Sequence, residues 1–284
     1  MFDQIEALWA ISRYQTMGKA GTYLRVSQSA ISKRLAGLES QIGKKLVHKK
    51  GRYVVLTTEG ENLLKQVSPL LTQLRSVLFE SETKGYQHNL VMGVSESIFS
   101  SWGAKSLFLA RKKSPKLNFE IHTHRTPVIL DKINSGEYHI GLCSGLAEDA
   151  PQLEVQTIAY EPMVIIPKGL VETNLSRIRK EEVYTIEIHS ETWRTIFRKL
   201  PKAKINITGG MESFFAVAAS AISGFAHGLV PLGVAKAYKI PEKKIIYLKK
   251  YELQRPISIV GNKSVIHGGE IAKFTTILEK QLSL

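Results

Sequence analysis

The sequence predicts a multidomain α+β protein, and three features of the chain support this prediction. The first 56 residues contain short amphipathic helices and a concentration of positive charge. One long helix with a heptad repeat follows them. From residue 89 onward, short apolar strands alternate with helices, as in an α/β domain. With 284 residues, of which 43% are hydrophobic, the chain is long enough for two or three domains.

The formal net charge of the chain is +14, and half of it lies at the N-terminal end. Residues 1–56 hold ten Lys and Arg against three acids, a net charge of +7. Such a concentration favours an anionic partner, most often nucleic acid, whereas a solvated basic surface is the competing interpretation. The single cysteine, Cys143, excludes an intramolecular disulfide. Because Asp3 and Glu6 also argue against a signal peptide, we expect a cytoplasmic protein.

Three short helices are predicted in the basic N-terminal region. Ser27 is a good N-cap for the third helix, and Gly43 ends it. Two helices joined by a tight turn are typical of the helix-turn-helix, whose second helix enters the major groove of DNA. The stretch HKKGRYVVLT, residues 48–57, then predicts a β-hairpin that turns at Lys50 and Gly51. The region therefore reads as a winged helix-turn-helix that binds double-stranded promoter or operator DNA.

Polar side chains at the front of the third helix are suited to reading bases. Gln pairs with adenine, Ser either donates or accepts, and Lys reaches guanine or phosphate. Basic residues at the tip of the hairpin suit phosphate or the minor groove. Ordinary surface polarity is the alternative for the two serines. The predicted DNA-binding residues are Gln28, Ser29, Ser32, Lys33, Arg34, Lys49, Lys50 and Arg52.

A spaced signature runs through the first 60 residues without a gap. Its members are Ala20, Leu24, SQSAIS (27–32), Leu38, Glu39, Ile42, Gly43, Leu46, Arg52, Leu56, Thr57 and Gly60. In order and spacing this signature resembles the N-terminal region of LysR-type transcriptional regulators. Gly21, Val47 and Lys49 depart from the pattern, since the family usually has Ala, Phe and Arg there.

The segment 57–84 predicts a long helix with a heptad repeat. Thr58 and Glu61 fit a capping box at its start, and Pro69 predicts a kink inside it. The resemblance implies a linker helix that pairs across a homodimer, and dimers that assemble into a tetramer. Packing on the core of the same chain is the alternative. The predicted interface residues are Leu63, Val67, Leu70, Leu74 and Val77.

The remainder of the chain alternates between strands and helices. The predicted strands span 89–95, 117–123, 138–143, 163–167, 184–189, 204–208, 225–230, 244–248 and 257–261. The charge-free run 214–235 is interpreted as a buried helix, a turn at Gly224 and a strand that stops at Pro231, rather than as a membrane span. Helices between strands predict a buried, mostly parallel sheet.

This region resembles the LysR-type effector domain, which is similar to periplasmic binding proteins: two α/β lobes with a ligand between them. The resemblance gives a DNA-binding domain at 1–57, a linker helix at 58–88 and an effector domain at 89–284. Lobe I comprises 89–160 with 261–284, and lobe II comprises 161–260.

Several predicted strands end in small polar residues. In open α/β sheets, ligands bind beyond the carboxyl ends of the strands, near helix N-termini. The positions of Ser95, Thr126 and Ser190 resemble effector contacts of the family. Hydroxyls and helix starts suit a small anion, whereas Glu96 and Glu191 favour an amine or zwitterion if they face the cleft. Plain N-caps and surface acids are the alternative. The predicted effector-binding residues are Ser95, Glu96, Ser97, Thr126, Ser144, His189, Ser190 and Glu191.

Catalytic and cofactor motifs are missing from the sequence. It has no GxSxG, no P-loop and no GxGxxG after a strand, so we expect neither an enzyme nor a cofactor. His122 and His124 alternate on one strand but have no third ligand at a recognisable spacing, so no metal site is predicted. A regulator that responds to a small polar metabolite fits best. The alternatives are an architectural DNA-binding protein, and a solute-binding protein or enzyme with an accessory DNA-binding head.

Overall fold

A computed structural model describes residues 1–81, 88–145, 153–187, 191–197, 200 and 204–282. The chain divides into two compact units, one made mainly of Met1–Leu74 and the other mainly of the residues that follow. The helical head and the α/β region are therefore separate structures.

The first unit is a three-helix head closed by a hairpin. Its elements are α1 (Phe2–Tyr14), α2 (Met17–Leu24), α3 (Gln28–Ile42), β1 (Val47–Lys50) and β2 (Tyr53–Leu56). The Ser27 hydroxyl accepts a hydrogen bond from the Ala30 amide, which satisfies an orphan donor at the start of α3. Gly43 ends the same helix in the left-handed conformation, with φ of 71°. The winged helix-turn-helix prediction is confirmed.

The core of the head is built from one face of each helix. Leu8 and Ile11 of α1 pack with Ile31 and Leu35 of α3, and all four are fully or almost fully buried. Burying a side chain of this size stabilises the fold by about 1.5–3 kcal/mol. The hairpin turns at Gly51 and Arg52, one residue later than predicted, because Lys50 pairs with Tyr53 across the strands.

A long helix, α4 (Thr58–Ser81), follows the hairpin. Its cap is Thr57 and not Thr58: the Thr57 hydroxyl accepts from the Gly60 amide at 3.1 Å and donates to the Lys45 carbonyl at 2.7 Å. The predicted capping box is therefore wrong by one residue, because the wing holds Thr57 in the capping position. The helix continues through Pro69 without interruption.

One stripe of α4 is buried and another is exposed. Leu64 and Leu71 are buried, whereas the side chain of Leu70 is 61% exposed. Leu63 and Val67 are half-buried. The side chains of Leu74 and Val77, the other two predicted interface residues, lie outside the described part of the chain.

The second unit is built on a mixed sheet with two parallel halves. The first half contains β3 (His88–Ser95), β4 (Leu117–His124) and β5 (Ile140–Ser144), and the second contains β7 (Val183–Ile186), β8 (Ile207–Met211) and β9 (His227–Pro231). Two long antiparallel strands, β6 (Glu154–Ile166) and β11 (Gln254–Gly261), join the halves. The short β10 (Ile246–Tyr247) pairs with β6. The order of the main described strands is β4-β3-β5-β11-β6-β9-β7-β8.

Helices pack against both halves of this sheet. They are α5 (Glu96–Ile98), α6 (Ala104–Lys112), α7 (Thr126–Asn134), α8 (Leu175–Ile178), α9 (Glu191–Phe197), α10 (Phe214–Ile222), α11 (Leu232–Ala237), α12 (Lys263–Ile266) and α13 (Gly269–Gln281). A π-turn spans Phe99–Gly103, and short 3-10 turns span Lys168–Leu170, Glu242–Lys244 and Lys249–Tyr251.

Each half of the sheet has its own apolar core, so the second unit has two lobes. Met92 and Phe274 belong to the core of the first, lobe I, and Val183 and Val217 to the core of the second, lobe II. The two-lobed α/β prediction is confirmed. The charge-free run forms α10, a turn at Gly224 with φ of 85°, and β9. Among the described helices, none is both long and apolar enough to cross a membrane.

Two strand predictions are displaced. The strand predicted at 163–167 begins nine residues earlier, at Glu154. Its first four residues are all half-buried and carry no apolar run, so hydrophobicity does not reveal them. The strand predicted at 204–208 lies at Ile207–Met211, where two glycines weaken the apolar pattern.

Candidate DNA-binding surface and effector cleft

The exposed front of α3 presents four side chains on one side of the helix, a surface termed the recognition face: Gln28, Ser29, Ser32 and Lys33. These four positions are exposed, whereas Ile31, Leu35 and Leu38 of the same helix are buried in the core of the head. Among the described residues, Gln28, Ser32 and Lys33 have no hydrogen-bond or ion-pair partner. Their donors and acceptors are available to an external partner.

Two residues of α3 are engaged within the head. The Ser29 hydroxyl lies 2.9 Å from the Ser27 hydroxyl, next to the helix cap. Arg34 is ion-paired with Asp3 of α1 at 2.9 Å, and its side chain is only 26% exposed. The Arg34 guanidinium therefore ties α3 to α1, unlike the exposed Lys33 ammonium.

The hairpin presents three cations, termed the basic wing: Lys49, Lys50 and Arg52. All three are exposed, and the two lysines have no partner among the described residues. Arg52 donates to the Tyr53 hydroxyl at 3.0 Å, and its guanidinium lies 5.1 Å from the centre of the Tyr53 ring. This stacking holds Arg52 along the hairpin while leaving donors of its guanidinium open.

Glu39 connects α3 to the start of the hairpin. Its carboxylate accepts from the Leu46 and Val47 amides at 2.9 and 3.3 Å and pairs with the Lys45 ammonium at 2.7 Å. Burial raises the pKa of the Glu39 carboxyl, but these hydrogen bonds outweigh it and leave the pKa below its ordinary value of 4.5. The carboxylate thereby fixes where the hairpin leaves the recognition helix.

A cleft opens where the parallel strands of the two lobes end. Its cavity volume is about 40 Å³, and it is open to solvent. Ligand sites in open α/β sheets occupy this position, beyond the carboxyl ends of the strands. The lining residues are Ser95, Glu96, Ser97, Arg125, Thr126, Pro127 and Ser144 from lobe I, and Ile186, Thr192, Glu212, Ser213 and Phe214 from lobe II.

The structure brings five of the eight predicted effector residues together in this cleft: Ser95, Glu96, Ser97, Thr126 and Ser144. His189 and Ser190 lie outside the described residues. Glu191 begins α9, but its side chain is also outside the described part of the chain.

Most hydroxyls of the cleft already have partners. Thr126 donates to the Ser144 carbonyl at 3.2 Å, and the Ser144 hydroxyl lies 3.1 Å from that of Thr192 in the other lobe. Ser97 accepts from Arg255 at 2.8 Å. Ser95 differs: it is 5% exposed, its side chain does not cap α5, and it has no partner among the described residues.

The cleft contains more acidic than basic side chains. Arg125 contacts Glu187 at 3.3 Å and Glu212 at 3.5 Å, so its guanidinium bridges the lobes. Glu96 accepts a hydrogen bond of 3.4 Å from the Ser213 hydroxyl. These contacts, together with the pair of Ser144 and Thr192, are polar links between the lobes.

A buried ion pair lies behind the cleft. Arg255 of β11 and Glu161 of β6 are at most 1% exposed, and the Arg255 Nη2 and Nε atoms lie 2.7 and 2.9 Å from Glu161 Oε2. Glu161 Oε1 also accepts from the Gly233 amide at 2.9 Å and from the Trp102 indole at 3.2 Å. Arg255 stacks 5.4 Å from the centre of the Phe214 ring, so the pair supports the lining directly.

Sequence patterns missed several lining residues. Arg125 follows β4 and Glu212 follows β8, at strand ends of the kind used for the other predictions. Ser213 caps α10 and precedes a clear apolar helix, a signal that would have identified it. The buried pair gives no local signal, because Glu161 and Arg255 are 94 residues apart.

The two histidines singled out on β4 each have a side-chain partner. His122 lies 2.8 Å from Glu120, and His124 lies 3.0 Å from the Tyr138 hydroxyl. Within the described ranges, no group of three or more His, Cys, Asp or Glu is arranged to hold a metal ion.

Comparisons with known proteins agree with this architecture. Residues 2–61 match the family model of bacterial regulatory helix-turn-helix proteins of the lysR family, and residues 83–283 match that of the LysR substrate binding domain. An uncharacterized HTH-type transcriptional regulator of Vibrio cholerae is 29% identical, over 98% of this chain and 95% of that protein.

Solved structures share the fold. Full-length OxyR from Pseudomonas aeruginosa has a TM-score of 0.77 at 15% identity, covering 99% of this chain and 94% of that one. CbnR, a LysR family regulator solved with its target DNA, has a TM-score of 0.63 at 18% identity, covering 99% and 100%. The chain therefore belongs to the LysR family of DNA-binding transcriptional regulators, which are not enzymes, and it carries the substrate-binding domain of that family.

Proposed function

We propose that this regulator acts in the cytoplasm and changes its action on promoter DNA when a small polar metabolite binds between lobes I and II. The observation that carries the proposal is Ser95, a nearly buried hydroxyl that faces the cleft without a partner. A serine hydroxyl can both donate to and accept from a ligand, so Ser95 offers the cleft a hydrogen-bonding group that the described protein groups do not use.

On the DNA, the recognition face reads bases and the basic wing holds phosphates. Gln28, Ser29 and Ser32 occupy the N-terminal part of α3, the part that contacts base edges in helix-turn-helix proteins. Lys33 and the basic wing supply exposed cations for the backbone. Arg34 contributes less to phosphate binding than these residues, because Asp3 already neutralises its charge.

In the effector domain, ligand binding changes the closure of the lobes. Polar contacts already span the cleft, at Ser144 with Thr192 and at Arg125 with Glu187. A ligand that competes for these groups has a different affinity for open and closed lobes, and such a difference shifts a conformational equilibrium. The effector contacts assigned in this way are Ser95, Glu96, Ser97, Thr126, Ser144, His189, Ser190 and Glu191.

The proposed domains are the DNA-binding domain at 1–57, the linker helix at 58–88 and the effector domain at 89–284. The end of β2 at Leu56 and the start of β3 at His88 support these limits. Lobe I takes 89–160 and lobe II begins at 161. Ile257 and Ile259 of β11 lie in the lobe I core and β11 pairs with β5, which favours a return to lobe I at residue 257 rather than 261.

The exposed stripe of α4 is proposed as the homodimer interface, with dimers assembling into a tetramer. The large apolar side chain of Leu70 is exposed to solvent in the single chain, as expected for a residue that packs against a second chain. Leu70→Glu should dissociate the dimer in light scattering and abolish operator binding. Lys65→Gln makes the same change of one charge unit at an exposed position on the opposite side of α4 and should leave the dimer intact.

The function as a whole is tested by footprinting the DNA upstream of neighbouring genes with the full-length protein. We expect a protected site, and a footprint that changes length or intensity with one class of metabolite for the parent but not for Ser95→Ala. A footprint that responds equally in both proteins would rule out the cleft as the effector site. A protein that protects no site would contradict the operator proposal.

A further inference from the structure

The side chains around the effector cleft specify the charge of its ligand. We propose that the ligand carries a protonated amino nitrogen, which binds the Glu96 carboxylate and the adjacent Ser95 hydroxyl. This inference rests on the proposed function of the cleft as an effector site and names the chemical class of the effector.

Glu96 is a carboxylate in the cleft with no cation beside it. It is half-buried, and within the described part of the chain its contact is the neutral Ser213 hydroxyl at 3.4 Å. Hydrogen bonds from a charged donor to a carboxylate are shorter than this and about twice as strong as neutral ones. An ammonium group would therefore make a stronger hydrogen bond to the Glu96 carboxylate than the Ser213 hydroxyl does.

The basic residue of the described lining, Arg125, already has acidic partners. Its guanidinium contacts both Glu187 and Glu212, so the two carboxylates exceed its single charge. Including Glu96, the described side chains at the cleft carry three negative charges around one positive charge. A ligand with only a carboxylate would meet net repulsion, whereas a cation would lower the electrostatic energy of the cleft.

Ser95 lies next to Glu96 and supplies a second acceptor. Its hydroxyl is nearly buried, lines the cleft and has no partner among the described residues. An ammonium group has three donors and no acceptor, so it can donate to Glu96 and to Ser95 at the same time. The other serines that the sequence places here are already engaged, Ser97 by Arg255 and Ser144 by Thr192.

An ammonium group can come from an amine or from an amino acid, and Arg125 distinguishes the two. Its contacts of 3.3 and 3.5 Å are longer than the 2.7–2.9 Å or so of strong charge-assisted bonds. A ligand carboxylate that displaces Glu212, whose side chain is mostly exposed, would gain a better geometry. An amino acid would then bind more tightly than its amine, and Arg125→Gln would remove that advantage.

The test uses the full-length protein and probes with shared side chains: the standard amino acids, the amines obtained by removing their carboxylates, and the carboxylic acids obtained by removing their amino groups. Thermal shift identifies hits and calorimetry measures their affinity. We expect hits among amino acids or amines and none among the acids. Glu96→Gln, which keeps the shape of the side chain, should weaken a hit about tenfold or more.

Two variants control for indirect effects. Glu172→Gln removes the same charge from an exposed position outside the cleft lining and should leave the affinity unchanged. Ser95→Ala should weaken the same hits about tenfold, the loss of one hydrogen bond from a charged donor. Unliganded melting temperatures of all variants establish that each has folded.

The outcomes separate this inference from the function on which it rests. Hits found only among the acids, and weakened by Ser95→Ala, would refute the ammonium inference and keep the cleft as the effector site. Hits unaffected by both Ser95→Ala and Glu96→Gln would overturn the cleft itself. If no amino acid or amine binds the parent, the ammonium inference is also wrong.

Discussion

The recognition face and the effector cleft differ in how their polar groups are satisfied. On the recognition face, Gln28, Ser32 and Lys33 are exposed and have no partner among the described residues, as the proposed contacts with a large, solvated polyanion require. In the cleft, most polar groups bond one another, and two of these contacts cross between the lobes. DNA recognition in this protein therefore uses groups left open, whereas ligand recognition requires replacing contacts that already exist.

The largest effect, a loss of stability, is expected at the buried ion pair of Arg255 and Glu161 behind the cleft. Arg255→Met removes the cation opposite Glu161 and leaves a carboxylate buried between the lobes, at a cost of about 3–5 kcal/mol. Urea unfolding of the full-length protein measures the loss. A variant as stable as the parent would show that the pair contributes little to the effector domain.

The double variant Glu161→Gln/Arg255→Met tests whether the loss of stability in Arg255→Met comes from the unpaired charge of Glu161. The Gln carbonyl still accepts from the Gly233 amide and the Trp102 indole, and no charge remains buried. It should therefore be more stable than Arg255→Met alone. If the two variants are equally stable, the loss in Arg255→Met comes from packing against Phe214 rather than from the unpaired charge.

The recognition face should show a smaller effect and a different kind of specificity. Gln28→Ala should cost about 1–3 kcal/mol at one base position, whereas Lys49→Ala should weaken all sequences alike and reduce the salt slope by about one. Fluorescence anisotropy on the operator and its point variants, over a range of salt, separates the two. Gln41→Ala, an exposed glutamine at the far end of α3, should change neither. If Gln28→Ala weakened binding to every base variant equally, Gln28 would contact the phosphates rather than a base.

The DNA-binding residues were easier to predict from the sequence than the residues of the cleft. The predicted DNA-binding residues lie within 25 residues of one another, and local signals place them: the Ser27 cap, the Gly43 stop and the charge of the hairpin. Five cleft residues were found because they follow apolar strands. Arg125, Glu212 and Ser213 also follow strands but were not predicted, and of the five residues found only Ser95 and Thr126 were supported by the family resemblance as well. The ion pair of Glu161 and Arg255 depends on the pairing of β6 with β11, which no local pattern reveals.

Gly21 tests how tightly the recognition helix is held, with an effect of about 1–3 kcal/mol. A Cβ at this position would lie 2.6 Å from the Val26 carbonyl, in the turn between α2 and α3. Gly21→Ala should therefore destabilise the head and weaken DNA binding, although the family usually has alanine here. Gly18→Ala, in the same helix with nothing within 4 Å, should be neutral or stabilising. Thermal melting of the two variants compares them, and equal melting temperatures would mean that the turn relaxes without cost.

The smallest effect is expected at Glu39 in the head. Like that of Glu161, its carboxylate has both backbone and side-chain partners. Its side chain is 11% exposed, so replacement should cost less than at the fully buried pair, about 1 kcal/mol for Glu39→Gln at pH 7. The folded-state pKa of the Glu39 carboxyl is lowered from 4.5, so its contribution is complete above that pH and is lost as pH falls through the lowered pKa. The stability difference between parent and Glu39→Gln should therefore shrink below pH 4.5, whereas Glu59→Gln, an exposed acid of α4, should show no such convergence. A difference that stays constant from pH 7 to pH 3 would assign the effect to shape rather than to charge.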